Sequence, residues 1–104
     1  MVRLMKIKEA IMLLRHQEPL ACETIRVRVS SRIDEDTYGT CFHDAEKGTI
    51  TIRINKSLSL VAQLDVLMHE WAHAMLLGIP EEFDKHGPLW GVCYARCYNV
   101  IYPS

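Results

Sequence analysis

The chain reads HEWAH from His69 to His73, inside an apolar stretch that runs from Leu58 to Leu77. The stretch predicts a helix, and side chains four positions apart on a helix lie on one face, with Cβ atoms roughly 5–6 Å apart. His69 and His73 can therefore direct two imidazoles at one metal ion, as in zinc sites built on a helix. Glu70 lies beside them and is the candidate general base, which would take a proton from a water molecule on the metal.

A chance occurrence of the same five letters is the alternative interpretation of this motif. Both histidines would then be solvated or hydrogen-bonded in a core. Polar side chains in a strongly apolar helix are costly unless something satisfies them. Gly78 and Pro80 end the helix soon after the motif, and a third histidine, His86, follows thirteen residues after His73. These features favour a metal site over coincidence.

The motif leaves the third metal ligand open. A catalytic zinc usually has three protein ligands and one position for water. His86 is the first candidate, because its loop can fold back over the motif and because the helix predicted from Pro88 would hold it in place. Carboxylates of the same loop are the alternatives: Glu81, Glu82 and Asp84.

Length and composition predict one globular domain, residues 1–104. The chain is 49% hydrophobic and 24% charged, and its net charge of −1 gives no overall attraction to nucleic acid or membrane. No apolar run is long and uncharged enough to span a bilayer, so no membrane partner is expected. Residues 1–10 carry Arg3, Lys6 and Lys8 and do not resemble a secretion signal. A cytoplasmic location is therefore expected.

The cysteines form no C-x-x-C pair, and a reduced state is expected. Cys93 and Cys97 are four positions apart on a predicted helix. They are interpreted as small core residues, and a second metal site shared by the two is the alternative. The four cysteines of the chain are Cys22, Cys41, Cys93 and Cys97.

Hydropathy patterns predict an α+β fold with an N-terminal helix, a three-stranded antiparallel sheet, a central helix carrying the motif and a C-terminal helix. Three stretches follow the helical period: residues 2–17, 58–77 and 88–98. Three stretches alternate as strands do: residues 22–30, 38–43 and 49–54. Their connections are too short for parallel crossovers, which predicts an antiparallel meander. The polar segments 31–37 and 81–85 are predicted loops.

Two segments together resemble the SprT-like (Spartan-type) metalloprotease domain. They are the motif helix from His69 and the later segment His86-Gly87-Pro88-Leu89-Trp90, and the strand 49–54 with Asn55 and Leu58 also resembles that family. The resemblance covers residues 38–98 and implies a minimal zincin-like metallopeptidase acting on protein or peptide substrates. It also implies a zinc centre with ligands His69, His73 and His86 and with Glu70 as the catalytic base.

The expected reaction is peptide-bond hydrolysis by a zinc-activated water, with a second donor to the oxyanion. The strand at residues 49–54 is the predicted edge of the cleft, along which an extended substrate would pair. Four residues are candidates for the second donor: Tyr38, His43, Tyr94 and Arg96.

Two interpretations without catalysis are kept. The first is a catalytically silent module that zinc stabilises, although a purely structural site has no need of Glu70. The second is a nucleic-acid-binding module, with DNA as partner, whose near-zero net charge predicts weak binding. Its basic strand face would consist of Arg26, Arg28 and Arg53, with Arg32 nearby.

Overall fold

The computed structural model describes residues 4–21, 24–31 and 37–103. This part of the chain has the predicted α+β class, and none of its helices is long and apolar enough to cross a membrane. Its elements in chain order are α1 (Ile7–Gln17), β1 (Thr24–Ser30), β2 (Gly39–Asp44), β3 (Thr49–Asn55), α2 (Leu60–Ala74), α3 (Pro80–Phe83) and α4 (Pro88–Ile101). The predictions for Arg3, Cys22, Arg32 and most of the loop 31–37 lie outside the described residues.

The sheet is mixed, so the predicted antiparallel meander is wrong. Its strand order is β1-β3-β2, with β3 parallel to β1 and antiparallel to β2. β3 takes the central place because its inward side chains, Ile50, Ile52 and Ile54, are fully buried, whereas the inward face of β1 is only partly buried. Parallel strands need a long connection, and the chain between β1 and β3 is long enough because it includes β2 and its flanking segments.

The hairpin between β2 and β3 turns through residues 44–48. Gly48 has a φ of 64°, the left-handed conformation that glycine adopts without steric cost. Asp44 accepts hydrogen bonds at 3.1 Å from the backbone N–H groups of both Glu46 and Lys47. The turn therefore fixes the register of the hairpin.

The central helix α2 packs against the sheet, α1 and α4. One stripe of this helix lies in the core, where Leu64, Leu67 and Trp71 are fully buried. Trp71 also donates its indole N–H to the backbone carbonyl of Glu18 at 2.9 Å, which ties α2 to the end of α1. The helix begins after Ser59, whose hydroxyl accepts from the backbone N–H of residue 62 at 3.3 Å.

The segment after α2 differs from the prediction. The helix ends at Ala74 rather than near Leu77, and the predicted loop 81–85 includes the short helix α3. Pro80 is at the first position of α3, where its missing N–H costs nothing. This turn of helix brings Phe83 and the residues after it back over the motif face of α2.

Candidate metal centre

Three imidazoles converge at one point beside α2. His69 and His73 come from the helix, and His86 comes from the segment between α3 and α4. The Nε2 atom of His86 lies 3.0 Å from Nε2 of His69 and 3.1 Å from Nε2 of His73. A tetrahedral zinc ion with bonds of about 2.0–2.1 Å would hold its ligand nitrogens about 3.3 Å apart. The three residues thus fit a metal ion.

The hydrogen bonding of His73 favours the tautomer that a metal needs. Its Nδ1 lies 2.8 Å from the carbonyl oxygen of Phe83, so Nδ1–H donates and the Nε2 lone pair faces the centre. Burial lowers the pKa of His73, and His86 lowers it further, while the bond to Phe83 acts in the opposite direction. Burial also lowers the pKa of His69, with both neighbouring imidazoles adding to the effect. The neutral imidazole is the form that binds a metal.

Trp90 closes one side of the centre. Its ring centroid lies 4.9 Å from that of His69, 5.8 Å from that of His73 and 4.9 Å from that of His86. Its indole N–H donates to the carbonyl oxygen of His69 at 3.3 Å. Trp90 also stacks on Tyr94, with 5.2 Å between the ring centroids. The aromatic that follows His86-Gly87 therefore packs directly against all three imidazoles.

Glu70 is buried at the centre, with 8% of its surface exposed. This burial raises the pKa of the Glu70 carboxyl to about 7. A carboxyl group in that range can both accept and return a proton near neutral pH. Its side chain therefore has the chemical character of a general base or acid beside the three imidazoles.

Two clefts meet at His69 and Glu70. One, of about 310 Å³, is named here the Tyr38 cleft, and its other lining residues are Thr37, Tyr38, Gly39, Asp65 and Val66. The second, of about 300 Å³, is named the Phe83 cleft, and it is lined in addition by Thr40, Cys41, His73, Phe83, Asp84 and His86. Since residues 37–39 line the first and residues 40–41 the second, β2 runs beside both clefts.

This placement corrects the predicted substrate edge. β3 is paired on both sides, with β1 and with β2, so the strand at residues 49–54 cannot accept a substrate strand. In the part of the chain that the structure describes, β2 is the edge strand that borders the centre. The prediction failed because it rested on the wrong strand order.

Gly39 allows β2 to lie close to α2. A Cβ atom at this position would lie 2.3 Å from Cγ1 of Val66 and 2.8 Å from the carbonyl oxygen of Arg53, and real Cβ atoms do not approach other atoms so closely. The same Cβ would lie 3.6 Å from Cγ of Glu70. The sequence analysis placed Gly39 inside the predicted strand 38–43 but gave it no role, because the pattern of one strand does not show which helix packs against it.

The four candidates for the oxyanion donor occupy different places. Tyr38 lines a cleft beside the centre. Tyr94 donates its hydroxyl hydrogen to the Asp65 carboxylate. Arg96 pairs with Glu18 at 2.8 Å. Neither Arg96 nor His43 is among the residues that line the two clefts.

The other candidate ligands do not join the three histidines. Among the described residues, the only group of three potential metal donors is His69, His73 and His86, whose ligand atoms all lie within 4.8 Å of one another. The loop carboxylates named as alternatives, Glu81, Glu82 and Asp84, are not in that group. Cys97 is fully buried, its thiol lies 3.6 Å from the sulfur of Met75, and burial raises its pKa to about 12. It is a core residue.

Comparison with known proteins gives one match. The family model described as the SprT-like family matches residues 8–102, which extends the predicted resemblance to α1 and to the end of α4. No curated protein and no solved structure is significantly similar to the chain. The matched range contains all three converging histidines.

Proposed function

The chain belongs to the SprT-like family, and we propose that it is a zinc-dependent metallopeptidase whose single catalytic domain spans residues 1–104. One observation carries the proposal: three imidazoles converge beside a buried carboxyl group where two clefts meet. In this proposal His69, His73 and His86 hold zinc, and Glu70 is the catalytic base. A cytoplasmic location stays a prediction.

The chemistry divides between the metal and the side chains around it. When bound, zinc supplies Lewis acidity, which makes water a stronger nucleophile and polarises a peptide carbonyl. Glu70 accepts the proton of the attacking water and later passes it to the leaving amine. Burial raises the pKa of the Glu70 carboxyl, whereas the positive charge of a bound zinc ion would act in the opposite direction and favour the ionised form that serves as the base. Tyr38, from the adjoining cleft, would donate a hydrogen bond to the oxygen that gains negative charge.

The proposed substrate is an extended segment of a protein or peptide. The two clefts meet at Glu70 and run beside β2, so a chain lying through both would present one peptide bond to the base. If the segment adds to the sheet, it does so along β2. Backbone pairing of this kind gives affinity with little dependence on side chains.

The test of this proposal is the variant Glu70→Gln, which keeps the shape of the side chain and removes the base. The metal-loaded variant is expected to keep about one zinc per chain while peptide hydrolysis falls by about 10²- to 10⁴-fold. Glu46→Gln, in the turn between β2 and β3, is the matched control and should retain both properties. Full activity in Glu70→Gln would refute the assignment of the base.

A catalytically silent module would give a different result. The wild type would then bind zinc and be stabilised by it, yet would hydrolyse neither unfolded proteins nor peptides under any condition in which the metal stays bound. Elemental analysis and a hydrolysis assay on the same sample separate the two functions.

Nucleic-acid binding is a second candidate function, and the outer face of the sheet favours it. A groove of about 470 Å³ on this face is lined by Arg26, Arg53, Lys47 and Phe42, with Asp44 and three threonines between them. Phe42 is 65% exposed. Cationic side chains together with an exposed aromatic ring are typical of surfaces that bind single strands.

Its test is a titration with a fluorescent single strand at several salt concentrations. Arg53→Gln should weaken binding and flatten the dependence on salt, because each lost phosphate contact reduces counterion release. Lys8→Gln, on the exposed face of α1, is the control. Binding that neither salt nor Arg53→Gln changes would contradict this function.

A further inference from the structure

Each cleft beside the metal centre carries one carboxylate besides Glu70. Asp65 lines the Tyr38 cleft and Asp84 lines the Phe83 cleft. Among the described residues, neither lining includes a lysine or an arginine. Lys85 is exposed and adjacent in sequence to Asp84, but it lines neither cleft. Apart from the metal ion that the proposed function places at the centre, a substrate therefore meets a carboxylate in each cleft and no cationic side chain.

Asp65 is held in place before any ligand binds. It lies one helical turn before His69 on α2, and Tyr94 donates its hydroxyl hydrogen to Oδ1 of the carboxylate. Tyr94 is itself stacked on Trp90, which packs against the three imidazoles. The carboxylate keeps acceptor positions for a ligand, and a group that is already ordered loses less entropy on binding.

Asp84 is placed by the same segment that supplies His86. It follows Phe83 directly, and the carbonyl oxygen of Phe83 lies 2.8 Å from Nδ1 of His73. The hydrogen bond between His73 and Phe83 therefore also holds the backbone next to Asp84 close to the centre. Asp84 is exposed and lines the Phe83 cleft, whereas Asp65 lines the Tyr38 cleft, and the two clefts share His69 and Glu70.

We propose that Asp65 and Asp84 are specificity-determining residues, and that the centre prefers lysine or arginine on both sides of the peptide bond it cleaves. This inference rests on the proposed peptidase function and names its substrate class, a basic polypeptide segment. Asp65 acts on one side of the scissile bond and Asp84 on the other. Tyr94 is a positioning residue, which acts by holding the Asp65 carboxylate.

A second metal ion is the competing occupant of these carboxylates, and the structure argues against it. A bound cation needs several converging donors. Among the described residues, the three histidines are the only such group. A single carboxylate in an open cleft matches a long cationic side chain, whose stem can lie along the cleft wall while its charge meets the acid.

The test is cleavage of a degenerate peptide library by the zinc-loaded protein, with every cleaved bond mapped by mass spectrometry. A charge pair at about 4 Å in surroundings like water changes an equilibrium about fivefold, so we expect lysine and arginine to be enriched about fivefold over glutamine on each side. The enrichment should shrink as salt rises above 0.15 M, where screening acts over about 8 Å.

The variants divide the effect between the two sides. Asp65→Asn should abolish the preference on one side of the scissile bond and Asp84→Asn on the other, while Tyr94→Phe weakens only the side that Asp65 controls. The matched control is Asp44→Asn on the outer face of the sheet, where asparagine can still accept the bonds of the turn. Equal cleavage next to glutamine and lysine in the wild type, or a preference that survives both single variants unchanged, would overturn the inference.

A binding readout separates this inference from the proposed activity. Zinc-loaded Glu70→Gln is titrated with matched fluorescent peptides that carry lysine or glutamine at the varied positions. If the wild type cleaves no peptide but this variant binds the lysine peptide about fivefold more tightly, the activity fails and the preference stands. If the variant binds both peptides equally, the preference is refuted whether or not the wild type hydrolyses peptides.

Discussion

His73 contacts a different partner through each ring nitrogen. Nδ1 faces the carbonyl oxygen of Phe83 and Nε2 faces His86. Both contacts come from the segment that follows α2, so the tautomer of a helix residue depends on how a loop folds. Trp90 adds a third constraint, because it packs on the rings and donates to the carbonyl of His69.

At the residue scale, we expect Trp90→Ala to weaken zinc binding by about 10- to 100-fold, as is common when groups that orient metal ligands are removed. Trp90→Phe keeps an aromatic ring against the imidazoles and loses only the N–H that bonds to His69. It should therefore fall between the wild type and the alanine variant. Competition with a zinc-binding dye measures both affinities, and equal affinity in all three proteins would contradict this role of Trp90.

A second residue-scale prediction concerns the cysteines. Cys97→Ser places a hydroxyl group in the core and should lower the free energy of unfolding by about 1–3 kcal/mol. Cys93→Ser, at a half-buried position of the same helix, should cost less. Urea unfolding measures the difference, and elemental analysis should find unchanged zinc in both variants. Loss of zinc in either variant would instead support the alternative of a metal site at the cysteines.

The residues of the candidate centre were predicted from the sequence, but the contacts that position their side chains were not. H-E-x-x-H placed two histidines on one helix face, and His86 was singled out by its distance from the motif. The bonds from Tyr94 to Asp65 and from His73 to Phe83 join residues that no short motif links. Such contacts depend on where α3 and α4 pack, which only the folded chain determines.

Among the elements, the short strand β2 lies beside α2 at a residue that has no side chain. At Gly39 it approaches α2 so closely that a methyl group would meet Val66 and the carbonyl of Arg53. Since β2 borders both clefts, this contact sets the width of the groove beside Glu70. Its place at the edge of the sheet follows from the greater burial of β3.

At the element scale, Gly39→Ala should lower the free energy of unfolding by about 1–3 kcal/mol, because the extra methyl forces β2 and α2 apart. Peptide hydrolysis in the folded fraction should fall as well. Gly91→Ala is the matched control in α4, where an added Cβ meets no atom within 4 Å.

The control should instead raise the free energy of unfolding by about 0.5–1 kcal/mol, since alanine is the better helix former. Thermal or urea unfolding measures both variants. If Gly39→Ala were as stable and as active as the wild type, the close approach of β2 to α2 would not matter for the centre.

Helices and strands were predictable one by one, whereas their arrangement was not. The alternating pattern of residues 49–54 predicted β3 correctly, and the helical period of residues 58–77 predicted α2, although this helix ends at Ala74. The most deeply buried strand takes the central place in the sheet. The structure identifies this strand as β3, because its three isoleucines are fully buried whereas the inward face of β1 is only partly buried. The sequence pattern of a strand therefore predicts which of its faces is buried more reliably than it predicts which strands lie beside it in the sheet.

In the whole molecule, the candidate metal would join the central helix to the segment that connects α3 and α4. His86, in that segment, contacts His69, His73 and Trp90. Binding energy of the metal would therefore add to the free energy of folding. Affinity should also depend on pH, because protons compete with the metal for the imidazoles.

At this scale, removal of the metal by a chelator should lower the midpoint of thermal unfolding, and restored zinc should reverse the change. Acidification should release the metal, since each ligand must be a neutral imidazole. Because burial lowers the pKa of His69 and His73, release should occur at a pH below the usual imidazole pKa of about 6.5. Scanning calorimetry with parallel elemental analysis measures both effects. An unfolding midpoint that is the same with and without the chelator, in protein shown to contain zinc, would contradict the coupling.

The most direct test of the central claim is the amount of zinc bound per chain in the wild type and in His86→Ala. We predict about one zinc in the folded wild type and clear loss in His86→Ala, because two helix histidines alone make a weak site. His16→Ala, at the exposed end of α1, is the control and should keep its zinc. A folded wild type that takes up no zinc after reconstitution, or a His86→Ala variant that keeps all of it, would contradict the three-histidine centre.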